Sequence, residues 1–274
     1  HGGGLDLVFP HHENEIAQSE AAHNCQYANI WMHNGLLTMA SGQKMGKSLG
    51  NVINVHLALE LFPAETLRLY YLQNHYRSAL AWSDEALPEA LGMLARLYDA
   101  IETAEGMKGE EDPARVVKEM GEDAAQVYEL GTTFQTRYFE TVDHDFNTGK
   151  GLGLLFQLAR AINRFAGHKK AKKRGGPVVA PALEAFKVVG ESLGFLKMSP
   201  REFHEEVKTK RLSAMGSTVE EIEAILSERV QARIDKDWGK ADALRDELEQ
   251  RKIVVMDTPE GVEWRIRLTD SGDD

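Results

Sequence analysis

Cysteine is almost absent from this sequence: Cys25 is the only one in 274 residues. A single thiol closes no intrachain disulfide, so a reducing cytoplasm is the expected compartment. No apolar run approaches the roughly 20 residues that a membrane span needs, and the start does not read as a signal peptide, so no membrane partner is expected. Net positive charge is missing too. At −11, with a pI near 5.4, bulk charge argues against a nucleic-acid partner, although local patches decide such contacts. The HExxH pattern of zinc proteases is absent, since Ile16 stands three residues after Glu13. A starting methionine is also lacking: the first residue is His1, and the chain is expected to be a piece of a longer protein.

What is present is concentrated at the beginning. HGGGLDLVFPHHENE, residues 1–15, reads as a glycine turn, a short apolar strand and the first turn of a helix, with three histidines and three acidic groups around them. Pro10 suits a first helical turn because its missing N–H has no partner there. His11 and Glu15, four residues apart, then share a helix face. An imidazole and a carboxylate at that spacing can form half of a zinc site, but taken alone they are more often a surface hydrogen bond or a satisfied helix start. Gly2, Gly3 and Gly4 allow a backbone to approach a ligand closely, and Asp6 can accept from a sugar hydroxyl; a plain tight turn is the alternative.

The second stretch, IWMHNGLLTMASGQKMGKSLGNVINV at 30–55, runs from an apolar strand (Trp31 to Met39) into a loop carrying Lys44 and Lys47. Two ammonium groups on a glycine-flanked loop can close over phosphates and follow charge onto a leaving pyrophosphate. Alone, such a loop is as readily a solvated one.

The remainder reads mainly as helix. LALELFPAETLRLYYLQNHYRSALAW brings Leu67, Tyr70, Tyr71 and Asn74 to helical spacing, with His75, Tyr76 and Arg77 able to meet phosphate or sugar, although buried packing of the tyrosine is the safer reading. From Ser83, expected to be an N-cap, Leu87, Leu91, Leu94, Leu97, Tyr98 and Ile101 form an apolar stripe. GMKGEEDP breaks the pattern, Ala114 to Thr141 resumes it, and Asn147 starts a helix carrying Leu152, Leu155, Phe156, Ala159, Ile162 and Phe165. Val178 to Leu196 completes an antiparallel helical bundle without chemistry of its own. The run HKKAKKRGGP at 168–177 is the one dense basic patch, five of its ten residues being lysine or arginine. It is read either as a phosphate contact or as a solvated loop ending in a Gly-Gly-Pro linker. Residues 199–217 read as a polar, charged linker that moves relative to the bundle and in which MSPREFHEE can begin a short helix. Two helices, a strand IVVMDT, a PEG turn and a strand VEWRIRL then make a small α+β unit.

Taken together, HGGGLDLVFPHHENEIAQSE, WMHNG and KMGKSLGN resemble the second half of the active site of cysteinyl-tRNA synthetases, class I aminoacyl-tRNA synthetases. VDHDFNTGKGLGLLF, DKDWGKADALRDEL and VVMDTPEGVEWR extend the resemblance along the chain. It implies an α/β fragment, the C-terminal part of a Rossmann-like catalytic domain, followed by a helical bundle and a small α+β C-terminal domain, mostly helical overall. The implied boundaries are 1–50 for the catalytic part with its lysine loop and 51–82 for a region contacting the tRNA stem. Residues 83–198 would be the DALR-like bundle, 199–217 the linker and 218–270 the anticodon-binding domain.

The resemblance also implies roles. His11 and Glu15 would be two of four ligands to a Zn2+ that binds the substrate cysteine thiolate, the other two being cysteines earlier in the family's sequence; Cys25 matches neither. A soft sulfur–metal bond rewards cysteine over serine, which suffices for discrimination without editing. His1, His12 and His33 would lie at the substrate pocket, and His1, Gly3, Asp6 and Lys47 at ATP or the adenylate. Lys44 and Lys47 would stabilise the transition state as the cysteine carboxylate attacks the α-phosphate of ATP, delivered with Mg2+. Gly46 departs from the family's serine in that loop. Arg233, Asp242 and Asp257 would contact anticodon bases, with Trp238 packing or stacking beside them. Cysteine, ATP and tRNA(Cys) are the implied partners, and a monomer is expected. The family's His-Ile-Gly-His signature and both zinc cysteines do not occur in this sequence, so the chain alone is expected to be inactive, and a non-catalytic tRNA-binding module is the alternative. A ligase joining cysteine to an amino sugar is disfavoured, since such enzymes lack the terminal unit.

Overall fold

The computed structural model describes residues 1–39, 54–258 and 261–268. Among these residues the chain is mostly helical, with twelve α-helices and three two-stranded sheets. None of the described helices is long and apolar enough to cross a membrane.

The glycine triplet is a strand rather than a turn. β1 (Gly2–Gly4) pairs in parallel with β2 (Met32–Asn34), Gly3 opposite His33. The ladder is too tight for side chains: a Cβ on Gly2 would stand 2.7 Å from the Met32 carbonyl oxygen. The expected apolar strand after it is a 3₁₀ turn (Leu5–Leu7) leading into a wide helical turn (Val8–His12) with a cis Phe9–Pro10 bond. Pro10 therefore precedes helix α1 (Glu13–His23) rather than opening it.

The strand expected over Trp31–Met39 is also divided. Its second part is β3 (Leu37–Met39), which pairs in parallel with β4 (Leu80–Trp82) in a separate sheet. Gly35 makes the division, because a Cβ there would fall 2.0 Å from the Ser78 carbonyl oxygen while its N–H donates to the Tyr76 carbonyl. Between β3 and β4 come α2 (Val55–Leu61), capped by the Asn54 side chain, and α3 (Ala64–Leu72).

The bundle comprises α4 (Ala86–Glu105), α5 (Pro113–Met120), α6 (Glu122–Val142), α7 (Thr148–Ala166), α8 (Ala171–Arg174) and α9 (Gly176–Leu193). Leu87, Leu91, Leu94, Leu97 and Tyr98 of the α4 stripe are buried, as are Leu152, Leu155, Ala159, Ile162 and Phe165 of α7. Local signals misplace several boundaries. Ser83 does not cap α4 with its side chain; its carbonyl accepts from the Ala86 N–H, and Glu85 holds the cap position. The helix expected over Ala114–Thr141 is two helices divided at Gly121, whose φ of +83° a side chain would resist. Asn147 caps α7 as its type suggests, accepting from the Lys150 N–H. The Gly-Gly-Pro of the basic run is the start of α9, with Pro177 in its first turn, not a linker.

Residues 199–217, expected as a mobile linker, form α10 (Pro200–Ala214), opened by a Ser199–Glu202 capping box. Charge along the sequence hides its two anchors: Phe203 stacks on Tyr98 with ring centroids 4.2 Å apart, and Val207 is buried beside it in the bundle core. Further along the same helix, Leu212 belongs to a second core. That core, with Ile222, Leu226, Leu248, Ile253, Trp264 and Ile266, is built by α11 (Val219–Ile234), α12 (Trp238–Gln250) and the antiparallel hairpin of β5 (Ile253–Thr258) and β6 (Gly261–Ile266). One helix thus serves both hydrophobic cores.

Candidate functional site

The first turn of α1 carries the Glu15 carboxylate into the middle of an imidazole cluster. Its Oε2 lies 2.7 Å from His1 Nε2 and its Oε1 3.2 Å from His11 Nε2. The second contact follows from the i, i+4 spacing; the first depends on His1 being held beside the β1–β2 ladder, where its carbonyl accepts from the Met32 N–H and its amino group donates to the Ile30 carbonyl. His12 is buried beneath this pair, with Nδ1 2.8 Å from His33 Nε2. Its ring also occupies the space beside Gly3, where a Cβ would come within 3.2 Å of it. The structure thus brings His1, His11, His12 and His33 around Glu15 and Gly3, while Asp6 remains exposed in the turn above.

Two aromatic rings complete the wall. Trp31 stacks on His33 at an interplanar angle of 7° and meets His1 edge-on at 5.0 Å, and Tyr27 Oη lies 3.4 Å from His1 Nδ1. Neither residue was singled out from the sequence, although the WMHN segment with aromatic and imidazole one residue apart is the pattern that would have found the first.

Nitrogen and carboxylate donors together suit Zn2+, whose catalytic sites combine a few protein ligands with an open position. The donor atoms of His1, His12 and Glu15 lie within 4.8 Å of one another, whereas His11 meets Glu15 alone from a more exposed position. The residues present fit a zinc ion as a partial ligand set. Among the described residues no cysteine joins them, and Cys25 is exposed.

Lys44, Gly46 and Lys47 lie outside the described residues. In sequence they fall between β3 and the Asn54 cap of α2. Beside β3, a cavity of about 240 Å³ is lined by Asn34, Leu37, Tyr71, Asn74 and His75, among others.

Several of the residues considered for RNA contact are held by other side chains. Arg77 is committed to Asp145, and Tyr76 donates its hydroxyl to the same carboxylate. In the basic run, Arg174 grips Glu111 through Nε and Nη2, at 2.5 and 2.6 Å, and reaches Glu119 at 2.7 Å. Those hydrogen bonds raise the guanidinium pKa and lower those of both glutamates, so Arg174 ties α8 to α5. Lys169, Lys170, Lys172 and Lys173 are exposed around it. At the turn between α11 and α12, Arg233, Trp238 and Asp242 are all exposed, and the Asp237 side chain caps α12. Asp257 lies within β5, paired with Val262 before the turn rather than in it.

Similarity to known proteins runs along the whole chain. Residues 1–92 match the class I (C) catalytic domain of tRNA synthetases, 137–197 the DALR domain and 215–265 the anticodon binding domain of cysteinyl-tRNA ligase. A cysteine–tRNA ligase of Geobacter metallireducens is 40% identical over 97% of this chain and 54% of its own length. One from Pelobacter propionicus is 39% identical over 97% and 55%, and one from Escherichia coli 40% over 97% and 51%. The chain therefore spans about half the length of the curated relatives it matches. Among solved structures, the leucyl-tRNA synthetase LeuRS of Agrobacterium radiobacter, in complex with tRNA and LeuAMS, aligns with a TM-score of 0.50 at 17% identity, over 73% of this chain and 27% of that one, which is a likeness of fold.

Proposed function

From its likeness over 97% of its length to cysteine–tRNA ligases of which it spans about half, we infer that this chain is part of a cysteinyl-tRNA synthetase and carries the lysine-loop side of the catalytic site and the tRNA-binding parts. The reaction joins the cysteine carboxylate to the α-phosphate of ATP, releases pyrophosphate, and passes the cysteinyl group from the adenylate to tRNA(Cys).

On this reading, Lys44 and Lys47 meet the negative charge that grows on the phosphates as pyrophosphate departs, which is where fixed positive charge lowers a barrier. Gly3, whose lack of a side chain makes room for the His12 ring, lies at the adenylate, Asp6 accepts from its ribose, and His1, His12 and His33 form the floor under the amino acid. His11 and Glu15 hold Zn2+ together with thiolates from outside this chain. When bound, zinc supplies a soft acceptor for the substrate sulfur, which a serine hydroxyl does not match. The carrying observation is the Glu15 carboxylate standing between two imidazoles, 2.7 and 3.2 Å away, beside the paired glycine strand.

The test is cysteine-dependent ATP–pyrophosphate exchange, with bound zinc measured in parallel, on this chain joined to the family's preceding catalytic half. His11→Ala and Glu15→Gln are expected to lower zinc affinity at least about tenfold and to reduce exchange with it. Full zinc content and full exchange in both variants would sink the assignment.

The alternative reading is a tRNA-binding module without catalysis. It predicts tRNA(Cys) binding by the chain alone with no exchange, even after the preceding half is supplied.

A further inference from the structure

The terminal unit meets the bundle through an unevenly filled joint. The β5–β6 hairpin buries Ile253, Trp264 and Ile266 in its own core. Alternation along the strands turns Val254, Met256 and Arg265 the other way. Between them and the bundle lies a cavity of about 430 Å³, whose walls include Ala95 of α4 and Val207 of α10. A void of that size forfeits the close packing that usually holds two elements in register.

Charge bridges the gap. Arg265 Nη1 stands 2.8 Å from Asp99 Oδ1, and Nη2 stands 2.9 Å from Glu102 Oε2. The two carboxylates sit three residues apart on α4, so one planar guanidinium spans a pair of like charges that would otherwise repel. His204 of α10 reaches the same Asp99 oxygen at 2.9 Å, and Lys208 lies 4.7 Å from the centre of the Trp264 ring. Asp99, Glu102 and His204 are close enough to hold a metal, but Arg265 already pairs with both carboxylates, so the cluster reads as an ionic joint.

We propose that Arg265 is a positioning residue: with Asp99 and Glu102 it latches the terminal hairpin onto α4 and thereby fixes how the anticodon-reading unit is presented relative to the bundle. The role in RNA binding rests on the function proposed above; the latch itself does not. Two RNA-contacting units held at a set span make the second contact intramolecular, and a loose joint gives up that advantage. Partly exposed ion pairs are individually weak and sensitive to salt, and α10, packed in both cores, keeps the two units attached, so charge reversal loosens the hairpin from α4 without unfolding either core.

The experiment compares wild type, Arg265→Glu, Arg265→Lys, and Arg265→Glu combined with Asp99→Arg. Small-angle X-ray scattering reads the joint, circular dichroism the fold, and fluorescence anisotropy the binding of a tRNA(Cys) transcript. Charge reversal is expected to enlarge the radius of gyration at unchanged helicity and to weaken tRNA binding about tenfold. The charge-swapped pair should recover most of both effects, and Arg265→Lys, which keeps charge but loses the fork, should fall between. Should reversal prevent folding, the lysine variant alone decides. Unchanged scattering in the folded variants would overturn the latch. An opened joint with undiminished tRNA binding would overturn the positioning role. Absence of tRNA binding by wild type would count against the proposed function, while scattering would still decide the latch.

Discussion

Arg77 holds Asp145 with both arms of its guanidinium, Nε to Oδ2 at 2.7 Å and Nη2 to Oδ1 at 3.0 Å, across 68 residues of chain. Tyr76 adds a third donor to the same carboxylate at 2.8 Å. The segment after α3 is thereby tied to the turn before α7, in which Asp145 and Phe146 take left-handed conformations (φ 57° and 55°). This arginine, one of three neighbouring residues able to meet phosphate or sugar, serves the fold.

That clamp makes acid stability a measurable property of one residue. Hydrogen bonds from Arg77 and then Tyr76 hold the Asp145 carboxyl down to about 2, against an ordinary value of 3.8. A depressed folded-state value means that the contribution is complete above the ordinary value and is lost as pH falls toward about 2. Thermal unfolding from pH 5 to pH 2 should therefore show a steeper fall for wild type than for Asp145→Asn, with the two curves converging at the acid end. Parallel curves would remove the clamp from the account.

The buried counterpart is the Tyr98 hydroxyl, which donates to Glu65 Oε2 at 2.6 Å and accepts from the Met198 N–H at 3.3 Å. Burial and the neighbouring carboxylate raise the phenol pKa, so it remains a donor at any working pH. Tyr98→Phe leaves a buried carboxylate oxygen without that donor and should cost about 1–3 kcal/mol in denaturant unfolding. A loss under about 0.5 kcal/mol would mean that the network relaxes around the gap.

At the other end of the chain, Trp238 is 60% exposed at the start of α12, a placement that suits stacking better than packing. Trp238→Ala should leave the melting temperature nearly unchanged and weaken tRNA(Cys) binding by about 1–3 kcal/mol, the range for one base stacked on an aromatic ring. Asp257→Ala should narrow the difference in affinity between matched and altered anticodons without affecting pyrophosphate exchange in the complete enzyme. Equal loss for both anticodons would argue against base reading by Asp257.

In the lysine loop, removal of one fixed charge aimed at the transition state typically costs about 10²–10³ in rate. Lys47→Ala in the complete enzyme should lose exchange on that scale with cysteine binding retained. Gly46→Ser, which restores a hydroxyl and stiffens the backbone, should leave exchange unchanged or modestly raised; a large loss would show that glycine is required there.

Much of this architecture follows from spacing that repeats within one helix or strand. The stripes of α4 and α7, the Asn147 cap, the pairing of His11 with Glu15 and the order of α11, α12 and the terminal hairpin are all legible in short windows, because neighbours three, four or two residues apart meet regardless of what lies beyond. The motifs of the first 51 residues were likewise readable as a resemblance before any coordinate. Tertiary packing decided the rest. Gly2–Gly4 became a strand because Met32–Asn34 came alongside, and Gly35 divided a continuous apolar run because the Ser78 carbonyl occupied the place of a side chain. α10 became part of both cores because Tyr98, a hundred residues away, offered Phe203 a ring to lie on. His1 and His12 joined Glu15, and Arg265 found Asp99 across 166 residues. Contacts of that length are set by which surfaces remain to be buried or neutralised once the helices exist, and local periodicity carries no record of them.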